Sequence, residues 1–185
     1  MASLAPVETL FLQPSVQAGL SRLTLLPLMQ KTWLAPWPGT EQDFSAALNA
    51  ELGLTFPAPG QVHQSGKALV YWAGRNAAFL IGAEPPVSLG VHGAVVDVSD
   101  GWVRFRLEGE DGPSVMARLC AVDLRPGVFA EETSLRTQVG HVTALIIAGR
   151  KNETELWVTR SYAAHLHEEL VATMRAVAAR RDLRD

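Results

Sequence analysis

Cysteine is nearly absent from this 185-residue chain. Cys120 stands alone, so no disulfide can form within the chain, and a reducing compartment is the expected setting. Long apolar runs are missing too. The longest, Leu23 to Met29, is interrupted by Thr24 and Pro27 and falls far short of the ~20 residues a membrane-spanning helix needs. The opening MASLAPVETL has no basic segment and carries Glu8 where a signal peptide is apolar. These absences lead to the expectation of a soluble, cytoplasmic protein. A basic excess is also lacking: 16 Lys+Arg stand against 19 Asp+Glu, a formal net charge of -3, which argues against a nucleic-acid module. Lysine itself is scarce, at 3 against 13 arginines, a skew read here as codon composition rather than arginine chemistry.

What is present is a folding sequence. Hydrophobic residues make up 48% and charged residues 19%, which excludes a disordered chain. A chain of this length buries roughly 70% of its unfolded surface and needs no metal or disulfide to fold. Residues 1–20 alternate only weakly and read as an N-terminal arm. Residues 21–185 read as one α+β domain. The run LTLLPLMQKTW (23–33) reads as an edge strand or bulge around Pro27. In EQDFSAALNAELG (41–53), Phe44, Leu48 and Leu52 recur at helical spacing and Gly53 supplies a stop. Residues 55–66 read as a loop. KALVYWA and AAFLIG, joined by GRN, predict a hairpin.

The second half follows the same order. Strands are predicted at 94–98 and 102–107 around SDG, with Val103, Phe105 and Leu107 on one face and Arg104, Arg106 and Glu108 on the other. A helix over 111–120 carries Val115, Met116 and Leu119 on one side. A second hairpin joins 143–148 to 155–159 across GRKNE. A long helix begins near Arg160, with Ala163, Leu166, Leu170, Met174 and Val177 forming a stripe. KALVYWAGRNAAFLI aligns with TALIIAGRKNETELWV through a shared AL and an AGR turn. The sequence therefore predicts antiparallel sheets with helices on one face and a pseudo-duplicated strand-helix-strand-strand unit, over 21–90 and 91–185, the second copy closed by the long helix.

No catalytic constellation emerges. His165 and His167 lie two apart on a helix, about 200° apart around its axis, so they cannot share a metal, and both read as exposed. His63, His92 and His141 are isolated. Cys120 lies on the apolar side of its helix, where a buried thiol is the ordinary fate. Asp97 and Asp100 in DVSDG read as turn chemistry between two strands rather than as an acid/base pair. Arg175, Arg180, Arg181 and Arg184 read as a solvated helix end that suits the dipole. No phosphate-binding glycine pattern or nucleophile motif occurs. No catalytic, cofactor-binding or metal-ligating residue is expected on this chain. Five tryptophans (Trp33, Trp37, Trp72, Trp102 and Trp157) suit either a core or a partner surface.

DVSDGWVRFRLEGEDGPSVMARLCAVDLRPGVF, followed by ELWVTRSYAAHLHEEL, resembles the gamma subunit of heterotetrameric sarcosine oxidase. The likeness lies in Asp-x-Ser-Asp at 97–100, Gly-x-x-Gly at 109–112, Cys-x-x-Asp-Leu-x-Pro at 120–126 and Arg-Ser-Tyr-x-x-x-Leu at 160–166. It covers most of residues 45–180 and is weak over the first 20. The resemblance implies membership of a complex that oxidatively demethylates sarcosine to glycine and hydrogen peroxide, passing the one-carbon unit to tetrahydrofolate as 5,10-methylenetetrahydrofolate. It implies partners in larger alpha and beta subunits and a small delta subunit. These carry FAD, covalent FMN, NAD, zinc and the tetrahydrofolate site, leaving no cofactor on the gamma chain.

The same family is similar in fold to the folate-dependent aminomethyltransferases (the glycine-cleavage T-protein family), whose corresponding strand carries an Asp-Asp pair. Here VGHVTALII puts Thr143 and Ala144 at those places, and neither can stabilise charge at a folate nitrogen. The reading is therefore a non-catalytic accessory subunit, with Trp102, Arg104, Arg106, Arg160 and Tyr162 as candidate partner contacts on a strand's polar face and a helix start. The alternatives are a gamma-like subunit of a demethylase for another N-methyl amine or betaine, a stand-alone folate-binding aminomethyltransferase-like protein, and an unrelated interaction module.

Overall fold

The computed structural model of the chain describes residues 12–125, 127–150 and 152–183. Its elements run β1 (Ser15–Ala18), β2 (Ser21–Leu25), β3 (Lys31–Pro36), α1 (Glu41–Leu52), β4 (Val62–Ser65), β5 (Ala68–Gly74), β6 (Ala77–Ile81), α2 (Leu89–His92) and β7 (Gly93–Asp97). There follow β8 (Trp102–Gly109), α3 (Gly112–Leu119), β9 (Ser134–Val139), β10 (Val142–Ala148), β11 (Glu153–Thr159) and α4 (Ala163–Asp182). The strands form two antiparallel sheets, ordered β1-β2-β8-β11-β10-β9 and β4-β5-β6-β3-β7, so the fold is α+β as the sequence predicts.

Alternation along each strand builds three apolar layers, because successive side chains point to opposite faces. Val103, Phe105, Leu107, Leu156 and Val158 pack under α3 and α4. The α4 stripe of Ala163, Leu166, Leu170, Met174 and Val177 is buried there throughout, together with Cys120. Leu34, Val70, Ala78 and Leu80 pack under α1 through Phe44 and Leu48. The remaining faces meet in the middle, where Phe79 and Ile81 of one sheet pack on Leu145, Ile147 and Trp157 of the other. The order of layers is helix, sheet, sheet, helix. Along one side the sheets are tied by polar contacts: Ser134 N donates to the Gly60 carbonyl at 2.9 Å, Ser134 Oγ to the Trp72 carbonyl at 2.9 Å, and Arg136 to the Ala73 carbonyl at 3.1 Å.

The duplication is visible in the topology. β4-β5-β6-β3 in one sheet and β9-β10-β11-β8 in the other place four strands in the same order, each set built from strand, helix and three strands. The two matched AGR turns connect β5 to β6 and β10 to β11, and Asn76 (φ 52°) and Asn152 (φ 61°) take the left-handed conformation at corresponding places, which asparagine tolerates better than most residues. The repeated unit has more strands than the sequence suggests, since β4 falls in the expected loop over 55–66 and β9 precedes the second hairpin. Each unit also begins with a strand given to the other sheet: β2 pairs with β8, and β7 pairs with β3.

This exchange corrects two local expectations. The run 23–33 is two strands, β2 and β3, and the segment around Pro27 is where the chain leaves one sheet for the other. Ser99–Gly101 forms a 3-10 turn between β7 and β8, which lie in different sheets, so the predicted strands around SDG do not form a hairpin. Asp97 nonetheless makes a local turn, with Oδ1 accepting from Ser99 N at 2.8 Å and from Ser99 Oγ. Residues 1–11 of the expected arm lie outside the described residues. Ser15–Ala18 is not a free arm: it pairs with β2 as the edge strand β1, and Val16 is buried on α4's side. α1 ends at Gly53, in the left-handed region at φ 65° with its N–H bonded to Asn49 O, as the sequence predicts.

The histidine pair divides. His165 is exposed, whereas His167 is buried against Phe105, and burial pushes its pKa below the usual imidazole value. Arg181 is not simply solvated, since it pairs with Asp111 at 2.8 Å. Arg184 lies outside the described residues.

Candidate functional site

The site lies where the two exchanged connections meet. Residues 25–28 leave β2, Lys31 opens β3, Trp102 and Arg104 stand on β8, and Arg160 follows β11. Together they line a cavity of about 480 Å³, within the range of small-ligand pockets. The segment 25–28 supplies leucines and a proline on one wall. Trp102, which also lines the cavity, packs edge-to-face on Phe79 with ring centroids 4.9 Å apart.

Three cations converge here. Lys31 is fully buried, and its Nζ donates to the carbonyls of Met29 at 2.9 Å and Ser99 at 3.2 Å. Its backbone N–H is bonded to Ser99 Oγ at 3.0 Å, so the turn between the sheets clamps it from both ends. Burial, followed by the fields of Arg104 and Arg160, lowers the Lys31 pKa from 10.5 to about 8, and Asp100 and Asp97 counteract this only in part. Arg104 lies over the Trp157 ring at 5.6 Å, a cation–π contact. It also pairs with Glu155 at 3.2 Å and touches Met29 Sδ. The Arg160 guanidinium donates from Nε to the Asp100 carbonyl. Burial, with Glu155 second, raises the nearby Tyr71 phenol to about 12, which keeps it protonated at neutral pH.

Three of the five candidate contacts therefore share one cavity: Trp102, Arg104 and Arg160. Arg106 does not line it and pairs instead with Glu153 at 3.0 Å. Tyr162 does not line it either and is 55% exposed. The polar face that the sequence assigns to β8 is covered at Arg104 and more open at Arg106. It forms the rim of the inter-sheet layer, and the Arg104 side chain is only 14% exposed. Lys31 was missed, although a single lysine in the apolar stretch LMQKTW, in a chain with three lysines, was the signal available. Thr143 is exposed on β10 and Ala144 is buried beneath the helices; neither lines this cavity. Among the described residues, no group of three or more His, Cys, Asp or Glu is placed to hold a metal, and no helix is long and apolar enough to cross a membrane.

The lysine has a measurable consequence. Between pH 8 and 10.5 the folded chain has shed a proton that the unfolded chain still holds, so stability rises with pH across that window. We expect a rise of at most about 3 kcal/mol, countered above pH 10 as the unfolded chain ionises its tyrosines. Denaturant unfolding at pH 7.5, 8.5 and 9.5 should show the rise, and Lys31→Met should flatten it. An equal slope in the variant would mean that another group is responsible.

Comparison with protein-family models and with curated proteins gives no match. Among solved structures, the chain is similar to one in the heterotetrameric sarcosine oxidase of Corynebacterium sp. U-96, determined in complex with pyrrole 2-carboxylate. The TM-score is 0.75 at 24% identity, over 85% of each chain. The two share a fold along most of their length.

Proposed function

We propose that this chain is a non-catalytic, gamma-like accessory subunit of a flavin-dependent, tetrahydrofolate-linked sarcosine oxidase complex. One observation carries the reading: 85% of the chain shares its fold with 85% of a chain in a heterotetrameric sarcosine oxidase. The sequence likeness from Asp97 to Leu170 supports the same assignment. Thr143 and Ala144, in place of a carboxylate pair, support an accessory role, because a strand carrying them offers no group to stabilise a folate cation. On this reading FAD, FMN, NAD, zinc and tetrahydrofolate belong to the alpha, beta and delta subunits, and the complex is cytoplasmic. Of the five candidate contacts, Arg106 and Tyr162 are the most open to a partner, with side chains 38% exposed for Arg106 and an exposed ring for Tyr162.

A tagged pull-down from the native host grown on sarcosine tests this. A yellow eluate containing larger chains and releasing peroxide when sarcosine is added is the expected result. A colourless, single-chain eluate would overturn the assignment, as would sarcosine turnover or stoichiometric flavin on the isolated chain.

A further inference from the structure

The two sheets end in the edge strands β1, β9, β4 and β7. Polar or charged side chains discourage foreign strands from pairing with an open edge, and three of these edges carry them: SVQA in β1, VHQS in β4 and SLRTQV in β9. β7 reads GAVVD and is apolar until its last residue. Its ladder to β3 fixes which backbone groups are free. Val98 N donates to the Lys31 carbonyl and Trp37 N to the His92 carbonyl, both at 2.9 Å. In this antiparallel register Ala94 and Val96 therefore bond inward to β3. The N–H groups of Val95 and Asp97 point outward, and neither has a partner among the described residues. Exposed apolar side chains gather at the same edge. Of the ten exposed large hydrophobics among the described residues, four belong here: Val96 on β7, Val91 in α2, Val87 just before it, and Trp37, bonded to His92 at the end of β3.

We propose that β7 is the contact edge of a symmetric dimer, pairing antiparallel with β7 of a second copy of this chain about a two-fold axis at Val95. Register and charge both suit a second copy. Val95 comes opposite Val95, so each amide donates to the other's carbonyl. Val96 comes opposite Ala94, and Asp97 opposite Gly93, so no like charges meet across the pair. The acidic end of each strand instead lies towards His92 of the other. Such a contact uses one patch twice and closes on itself, which leaves neither copy with an open β7. The area is modest. Two five-residue strands with their flanking valines belong at the low end of specific interfaces, under about 1,200 Å² in total, so the dimer is weak, with a Kd on the order of 100 µM. This inference goes beyond the accessory-subunit reading and does not rest on it.

Sedimentation velocity of the purified full-length chain, from about 5 µM to about 1 mM, is the test. A monomer–dimer equilibrium is expected, with the Val95 amide exchanging about fivefold more slowly at the high end. Val96→Lys sets two ammonium groups diagonally across the strand pair, within about 8 Å of each other, and should weaken the dimer at least about tenfold. Val95→Pro should do the same by removing the outward donor, a change that an edge strand tolerates when its N–H faces solvent. Val128→Lys, at an exposed valine in the loop before β9, should leave association unchanged. Thermal melts at low concentration establish that each variant is folded. A chain that stays monomeric throughout, full dimerisation of a folded Val96→Lys variant, or Val95 exchange that ignores concentration would each overturn the proposal. If the Val95 amide is protected only in complex purified from the host, a strand of another chain covers the edge and the second copy is excluded.

Discussion

Replacing Phe79 by alanine is expected to cost about 4 kcal/mol and to lower the melting temperature by roughly 10–15 °C. Phe79 is fully buried on β6 and is the ring around which three tryptophans gather. Its centroid lies 5.1 Å from Trp33, 4.9 Å from Trp102 and 5.2 Å from Trp157, the first two edge-to-face. Such contacts add about 0.5–1.5 kcal/mol each beyond buried area, and the void left by alanine would lie between two sheets that cannot close on it. Because Trp33 is on β3, Trp102 on β8 and Trp157 on β11, the loss is felt in both sheets at once. Thermal unfolding followed by near-ultraviolet dichroism and tryptophan emission checks this, since all three indoles report the missing ring. Phe79→Leu retains much of the volume and should cost about 1–2 kcal/mol. A fall of only a few degrees in the alanine variant would mean that the sheets are held together elsewhere.

Gly109→Ala is expected to cost at least about 2–3 kcal/mol, a large loss for a single methyl at a strand end. Gly109 closes β8 at φ 108°, where an L side chain is strained, and it pairs directly with Ser21 of β2. A Cβ there would run into the carbonyl of Leu20 and crowd Ser21 Cα. Neither obstacle is the mobile end of a side chain. Both are backbone at the start of a strand whose Ser21 is itself buried and bonded through Oγ to Ala18 O at 2.9 Å. The substitution should therefore lever the β1–β2 hairpin away from β8, and amide exchange in Ser21–Leu25 should accelerate more than exchange in β10. Gly101→Ala is the control: its added Cβ meets nothing within 4 Å, and stability should be unchanged. If both variants melt together, the clash is relieved by a small backbone shift.

Local pattern was enough for some elements and not for others, and the dividing line is physical. The α4 stripe was legible because the 3.6-residue period of a helix buried on one face is written into Ala163, Leu166, Leu170, Met174 and Val177. The two main hairpins were legible through alternation and through their AGR turns. β4 and β9 were not. VHQS is short and half-exposed, and SLRTQV carries Arg136, Thr137 and Gln138, so neither shows an apolar face of its own. The turn at Ser99–Gly101 was misread because Asp-Gly chemistry bends the chain in the same way whether the next strand folds back or crosses to another sheet; the difference lies in β3 and β2, whose residues precede their partners in β7 and β8 by 57–65 and 80–88 positions. Of the site, Trp102, Arg104 and Arg160 were singled out separately, for their place on a strand and at a helix start. Their convergence with Lys31 could not be read locally, because it depends on β2 and β7 each being paired outside their own unit.

That exchange also sets an order of events as the protein is made. β2 leaves the ribosome early, but its partner strand ends at Gly109, so the pairing must wait for more than 80 further residues, several seconds of synthesis at roughly 5–20 residues per second. During that interval the β1–β2 hairpin is an unpaired edge with its apolar side open, the condition that invites wrong partners. The first sheet can assemble β4, β5, β6 and β3 beforehand and gains β7 just as β8 appears. The two units, though built alike, therefore cannot mature one after the other: the first to be synthesised is finished only by the second, and a nascent chain stalled between them holds a strand it cannot place.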